Sequence, residues 1–476
     1  MKNILIVGAG LCGSLLALRM AQKGFKVTVV EKRPDLRTTV LDAGRSINLA
    51  LSNRGMRALK TAGIEDEVNK LLIPMTGRMI HEKSSGKTFL SPYSGRNDEY
   101  INSVSRPGLN KVLLNAAEEE GVKIYFNHPC KSIDFENTTI VCDNTETQKE
   151  VTFQADVIFG TDGAGSVIRS AMINNPDFLF SISHQWLSHG YKELEILAAD
   201  NSEYKIYKNA LHIWPRGEYM LIALPNLDGS FTVTLFLPHK GKPYSFETLT
   251  SNEKIDKFFS KEFPDVLKLI PNLTEQFSQN PIGNLGTIKC SPWNHSGKAL
   301  IMGDAAHAMV PFYAQGMNSS FEDVAEFSEI LDKYESRMKT GNNVWQEIFD
   351  EFQEKRIKNA EAICDLSLDN FEEMKAHTGL PIFQVKRKFE IAFESEFPTE
   401  YFSKYSLVTF REDLSYSEAK RLGRAQDNAI LSLLHEHKLD DTLSLEEKLE
   451  IVKERTELIL EQENKPGYLH YTNSDF

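Results

Sequence analysis

The chain has 476 residues, 41% of them hydrophobic and 25% charged, and a net charge of −13. That length predicts two or three domains, or one large α/β body with insertions. The acidic balance, with no basic stripe anywhere, excludes nucleic acid as a partner, because phosphate binding needs concentrated Lys and Arg.

Residues 2–7 form a short β-branched run, a glycine-rich turn follows, and 15–23 has helical periodicity. The segment "FKVTVVE" then reads as a second buried strand, so the chain opens as a βαβ unit of a doubly wound fold. The stretch "MKNILIVGAGLCGSLLAL" has the look of a secretory leader, but Gly8, Gly10 and Gly13 interrupt it and Arg19 breaks its apolar face. No run reaches membrane-spanning length. Five scattered cysteines, without a CxxC or a zinc-spaced Cys/His cluster, read as free thiols, and a cytoplasmic location is expected.

Further along, 53–72 and 106–120 are predicted helices, "VKIYF" a strand, and "ADVIFGTDGAG" a buried strand ending in a glycine turn. Between 184 and 237 the pattern becomes strands punctuated by turns such as "WPRGEY" and "NLDGSF". "GKALIMGDAAH" restores the α/β pattern. Helices are predicted over 321–334, 344–375, 417–435 and 445–460, and "ENKPGYLHYTNSDF" reads as a loose tail. The fold class is therefore α/β: a discontinuous Rossmann-like dinucleotide domain over 1–180 and 281–330, a β-rich substrate domain over 181–280 with substrate-facing strands from 73–104, and a helical C-terminal region over 331–476.

Three motifs point to one cofactor. In "GAGLCG" the glycines at 8, 10 and 13 allow a tight turn and close approach to a pyrophosphate at a helix N-terminus. Glu31, ending the next strand, is placed to accept from a ribose diol, which favours FAD or NAD over NADP. "DGAGSVIR" puts Asp162 at a strand end, where it can touch a cofactor or cap a turn. In "GDAAHAMVPFYAQGMNSS", Asp304 can accept from a ribityl hydroxyl, and Gly316, Met317 and Asn318 open a helix whose amides can polarise a flavin carbonyl. A metal site lacks a third ligand there, and a hydrolase lacks a nucleophile elbow. His307 is expected to serve the fold.

The order GxGxxG, DG, GD over 1–330 resembles the flavin hydroxylases of the para-hydroxybenzoate hydroxylase type. Within them, "GRSINLALSNRG", "GRMIHEKSSGK", "INSVSRPGLNKVLL", "HIWPRGEYMLIALPN", "DNFEEM" and "YSLVTF" resemble the kynurenine 3-monooxygenase group. The resemblance implies FAD as prosthetic group, NADPH as cosubstrate, and L-kynurenine and O2 as substrates, with hydroxylation to 3-hydroxykynurenine through a C4a-hydroperoxyflavin and no dedicated side-chain base. It adds Leu11, Arg45 and Arg106 to the cofactor contacts, beside Asp162 and Asp304. It assigns the substrate's amino-acid end to Arg78, Tyr93, Asn370 and Tyr405; a guanidinium binds a carboxylate through two parallel bonds. Ala314 stands where glycine is expected. The rival readings are a flavin hydroxylase of another aromatic acid, a double-bond reductase on the same scaffold, and a flavin-binding module without turnover.

Overall fold

The computed structural model describes residues 2–38, 48–83, 85–341, 343–374 and 381–463. The tail reading over 463–476 falls almost wholly outside them, as does Arg45.

The first sheet has six strands in the order Asn294–His295, Ala299–Ile301, Val157–Gly160, Asn3–Val7, Lys26–Val30 and Lys123–Tyr125. All neighbours run parallel except the first pair. Asn3–Val7 is central and Ile4 to Val7 are buried, as an apolar run covered on both faces must be. Helix Leu11–Gln22 leaves its carboxyl end and buries Leu15, Leu16 and Leu18 against it. A crevice outside the carboxyl ends of such strands is where open α/β sheets bind ligands.

The second sheet has seven strands: Gly283–Ser291, Ser181–Ile196, Phe231–Pro238, Met220–Pro225, Leu211–Pro215, Gly77–His81 and Thr88–Pro92. Strand alternation gives it two faces. Phe231, Val233, Leu235, Leu221, Ala223 and Trp214 pack outward under three short helices, Asn252–Glu262, Pro264–Leu269 and Leu273–Gln279. Thr232, Thr234, Phe236, Met220, Ile222 and Leu224 point inward to a cavity.

Three boundary readings need correcting. The 181–280 region is not β throughout, because 252–279 is helical and supplies the lid on the outer core. Residues 283–291 belong to the second sheet, so the chain re-enters the first only at Asn294. The predicted helix over 53–72 is two, Asn53–Thr61 and Glu65–Asn69, broken where Gly63 takes φ 72°. After Gly316 every described helix or strand is a helix, beginning with Gly316–Lys339 and Trp345–Glu372.

On the outer face, behind the strand that carries Arg78, a polar cluster joins sheet to lid. His81 Nε2 lies 2.9 Å from His212 Nδ1, His212 Nε2 donates to the Tyr207 carbonyl at 2.7 Å, and Trp214 Nε1 donates to Asp265 Oδ2 at 2.6 Å. His81 stacks on Trp214 with centroids 3.9 Å apart. The tryptophan of "HIWPRG" is thus part of the fold and not of the cavity. Burial, with His81 alongside, lowers the pKa of His212 from 6.5 to about 4. The unfolded chain therefore binds a proton that the folded chain refuses between those values, so stability is complete above pH 6.5 and falls as pH drops across that window. At pH 5 the loss from this residue should be about 2 kcal/mol. Urea unfolding midpoints at pH 7 and pH 5 check it: His212→Asn should flatten the difference, and an unchanged pH slope in the variant would refute the assignment.

Candidate functional site

A cavity of about 1080 Å³ lies between the two sheets, at the carboxyl ends of the first. Ordinary small-ligand pockets run to about 1000 Å³, so this one has room for a dinucleotide with a second, smaller molecule.

At one end the three glycines of "GAGLCG" have separate tasks. A Cβ on Gly13 would lie 2.0 Å from the Gly8 carbonyl oxygen and 2.4 Å from Thr161 Oγ1, so Gly13 permits packing beneath the turn and does not reach the cavity wall. Gly8 has φ 104° and fits only without a side chain. A Cβ on Gly10 would meet nothing within 4 Å; there the backbone faces the cavity. Leu11 lines it too, and helix Leu11–Gln22 starts without a side-chain cap, leaving its first N–H groups for an anion.

Glu31 borders this end. Its Oε2 accepts from Ala9 N at 2.8 Å, and Oε1 accepts from Arg33 N and Nε, each at 3.0 Å. The carboxylate holds the turn in shape while facing the cavity. Asp162 Oδ2 accepts from Val167 N at 2.7 Å, but Oδ1 is buried without a hydrogen-bond partner among the described residues. Burial pushes this carboxyl's pKa up, and leaving such an oxygen unpaired costs about 1–3 kcal/mol or more. An uncapped helix start, an open glycine and an orphaned carboxylate oxygen in one crevice fit a dinucleotide with hydroxyl donors.

Further along the wall, Gly303 takes φ 59° and presents Asp304, which is exposed into the cavity. Arg106, Gly316 and Met317 also line it, and helix Gly316–Lys339 begins without a side-chain cap. Ala314 stands at φ 56°, ψ 31°, the left-handed conformation in which glycine is expected. The Asn318 side chain is elsewhere. Its Nδ2 donates to the Ala50 and Ala314 carbonyls, both at 2.9 Å, and its Oδ1 accepts from Ser52 N at 2.9 Å. It staples strand Asn48–Leu51 to the helix and has nothing left for a ligand.

At the other end Arg78 lies among three near-parallel tyrosines. Its guanidinium carbon is 4.9 Å from the Tyr405 ring and 5.7 Å from that of Tyr93. Tyr405 stacks on Tyr93 at 5.1 Å and on Tyr313 at 5.6 Å. Burial opposes the Arg78 charge, but Tyr405, Tyr93 and Glu373 together more than offset it and raise its pKa. Among the described residues no carboxylate comes within 4.0 Å of it, and its Nε has no hydrogen-bond partner. A cation held in aromatic surroundings with an unpartnered N–H has the chemistry to accept an anion. Arg78 and Tyr405 are in the wall; Tyr93 and Asn370 stand behind it. Asn370 Nδ2 donates to the Phe312 carbonyl at 2.6 Å, fixing the Pro311–Tyr313 turn. Tyr313, Phe312 and the inward face of the second sheet were missed, although the period-2 pattern of "FTVTLFLP" carried that signal.

His307 belongs to a buried network. Its Nε2 lies 2.6 Å from Asp323 Oδ2, which also accepts from Gly303 N at 3.0 Å, while Asp323 Oδ1 accepts from Arg356 Nε at 2.8 Å. Arg356 Nη1 donates to Glu322 Oε2 at 2.7 Å, and Arg54 Nη1 donates to Glu322 Oε1 at 2.7 Å.

The FAD binding domain family matches residues 1–181 and 269–367. The chain is 44% identical over 441 residues to the kynurenine 3-monooxygenase of Dictyostelium discoideum, covering 91% of this chain and 93% of that one. With that of Myxococcus xanthus it shares 41% over 454 residues, 95% of each. The chain belongs to the kynurenine 3-monooxygenase family. Family and fold class are those the motifs pointed to. Among solved structures it resembles the tetrameric form of 2-methyl-3-hydroxypyridine-5-carboxylic acid oxygenase (TM-score 0.62, 21% identity, 84% of this chain and 98% of that one). It also resembles Pseudomonas aeruginosa PqsL in complex with 2-aminobenzoylacetate (TM-score 0.63, 15% identity, 79% and 97%). At such identities these likenesses speak to fold alone: a parallel dinucleotide sheet, a largely antiparallel second sheet and C-terminal helices.

Arg356→Met removes the shared cation of the buried network and leaves Glu322 and Asp323 underpaired. Breaking a buried pair from one side costs about 3–5 kcal/mol. Denaturant unfolding should show a loss of that size, and Arg356→Lys should not restore it, since one ammonium cannot meet both carboxylates through a fork. A loss under about 1 kcal/mol, the scale of an exposed pair, would contradict this account.

Proposed function

We propose that the protein is an FAD-dependent, NADPH-consuming monooxygenase that hydroxylates L-kynurenine to 3-hydroxykynurenine. The observation that supports this most directly is Arg78, a half-buried guanidinium whose Nε has no partner among the described residues, facing a largely apolar chamber joined to the dinucleotide end of the same cavity. L-Kynurenine has the matching pattern, an α-carboxylate at one end and an aromatic amine at the other.

In this reading the backbone at Gly10 and Leu11 would take the pyrophosphate and Glu31 the ribose, with Arg106 a further cofactor contact. Asp162 Oδ1 would find its donor on the cofactor, Asp304 would hold its ribityl hydroxyls, and the free amides at the start of helix Gly316–Lys339 would polarise its ring. FAD, when bound, would supply the redox chemistry by which NADPH and O2 oxygenate an aromatic ring. Arg78 pairs with the substrate carboxylate and Tyr405 closes over it, fixing how far the aromatic ring reaches toward the cofactor. Tyr93 and Asn370 act one layer back, Tyr93 by stacking on Tyr405 and Asn370 by holding the Phe312 carbonyl. Leu211, Ile222, Leu224, Phe236 and Phe312 keep water from the chamber. The substrate's own amine donates electrons to the carbon that is hydroxylated, so no side-chain base is required.

Two measurements test the proposal. Mass spectrometry of the product from L-kynurenine, NADPH and air should show one added oxygen, at the ring carbon next to the amine. NADPH oxidation without an oxygenated product, or oxygenation of another aromatic acid in preference, would overturn it. Arg78→Met leaves a desolvated carboxylate unpaired, at a cost of about 2–5 kcal/mol, so substrate affinity measured by stopped-flow reduction should weaken at least roughly 30-fold. An unchanged affinity would remove Arg78 from the site.

A further inference from the structure

Beyond the Glu31 end of the cavity lies a three-stranded ribbon, Cys130–Asp134, Thr139–Asn144 and Lys149–Gln154. It is stitched to the dinucleotide end by His128 N, which donates to the Glu31 carbonyl at 2.8 Å, and by Asn127 N, which donates to that of Arg33 at 3.1 Å. Two of the chain's five cysteines face each other across it: Cys142 is the register partner of Cys130, just past a bulge.

The flanking bond identifies the kind of pair. Asp143 N donates to the Pro129 carbonyl at 3.1 Å, joining the residue after one cysteine to the residue before the other. That is the pattern around a non-hydrogen-bonded antiparallel pair, whose Cα atoms stand about 4.5 Å apart with side chains on the same face. Disulfides span Cα separations of about 4.4–6.8 Å, a range that includes the ordinary spacing of such a pair. Cys130 is partly exposed in the cavity wall, beside Pro129 and His128, while Cys142 is buried directly behind it. The Cys130 thiol donates to the Ser132 carbonyl at 3.7 Å. The neighbouring Cys142 sulfur, together with burial, pushes the Cys130 thiol up, while that of Cys142 is held below its ordinary value by Cys130.

We propose that Cys130 and Cys142 are a reversible oxidation site, closed to a disulfide by hydrogen peroxide that reaches the cavity. The sulfur that meets peroxide first takes one oxygen atom and becomes a sulfenic acid as the O–O bond breaks and one water leaves. The second sulfur displaces the hydroxyl, a second water leaves with the remaining thiol proton, and the S–S bond forms. Two electrons pass from the sulfurs to the peroxide. A dithiol reverses the step by exchange. The remaining cysteines differ in setting: Cys12 lines the cavity without a register partner, and Cys290 and Cys364 are buried.

Lys131 lies between the two positions in sequence, so trypsin separates Cys130 from Cys142 unless a disulfide joins their peptides. The holoprotein should be treated with hydrogen peroxide, quenched with an alkylating agent under native conditions, digested without reduction and mapped by mass spectrometry. The expected result is a linked pair of peptides, released by dithiothreitol, at peroxide levels that leave Cys290 and Cys364 unoxidised. Cys130→Ser, a change at a partly exposed position, should abolish the link and leave Cys142 reduced. Separate peptides with both thiols unoxidised, or Cys130 driven to the sulfinic acid while Cys142 stays free, would overturn the proposal.

Discussion

The Asp323 carboxylate is the point on which the site's geometry turns. It accepts from Gly303 N, from the His307 ring and from Arg356, and it is fully buried. Gly303 and His307 bracket Asp304, so the same carboxylate fixes both ends of the turn that presents Asp304 to the cavity. Arg356 and Glu322 then tie that turn to the two longest helices, and Arg54 extends the network to helix Asn53–Thr61. Burying so many charges is costly, and ion pairing of this kind is weak evidence of net stability. What it supplies is uniqueness: the turn has one arrangement in which all these groups are paired.

Much of this was legible in the sequence where local chemistry and long-range position coincide. The βαβ start, the glycine turn, the Asp162 and Asp304 strand ends and the helical C-terminal region follow from periodicity and turn residues. His307 as a residue of the fold was legible from what the block lacked, a third metal ligand. Its partner was not, because Asp323 lies one helix later and nothing local marks it. Gly13, Asn318, Tyr93 and Asn370 show the other limit. Their residue types and motifs tie them to the site, but a motif does not say whether a side chain faces the ligand or the back of the wall. Asn318 and Asn370 spend their amides on backbone carbonyls, which is how asparagine inside a helix is reconciled with its poor helix propensity. The three helices over 252–279 were missed because the strands before them dominate the pattern of that region.

The second sheet shows how one strand can serve two chemistries. Along Gly77–His81, Arg78 faces the cavity and His81 the lid, and along Leu211–Pro215 the alternation is Leu211 and Ile213 inward, His212 and Trp214 outward. A one-residue register slip would exchange these sets, putting an imidazole pair in the apolar chamber and a guanidinium among the phenylalanines of the lid. The His81, His212, Trp214 and Asp265 cluster is therefore more than packing: by bonding across strands and into helix Pro264–Leu269 it specifies the register that aims Arg78 inward.

Polar groups around the cavity divide into two populations. Those that shape it, among them Asn318 and Asn370, have their hydrogen bonds within the protein, and Glu31 both holds its turn and faces the cavity. Atoms at or just behind the wall, Asp162 Oδ1, Arg78 Nε and the Tyr93 hydroxyl, have no protein partner among the described residues. Had the site been free to relax, these atoms would have turned toward neighbours, since each unpaired buried group costs free energy. They are kept from doing so by the first population: the Asp323 network fixes the Asp304 turn, Asn370 the Phe312 turn, and tyrosine stacking the guanidinium. Donors and acceptors held in place before a ligand arrives need not reorganise as it binds, which is the condition under which such groups act most strongly in a water-poor chamber. The cost of holding them is borne by the fold, through burial and ion pairing remote from the reacting atoms.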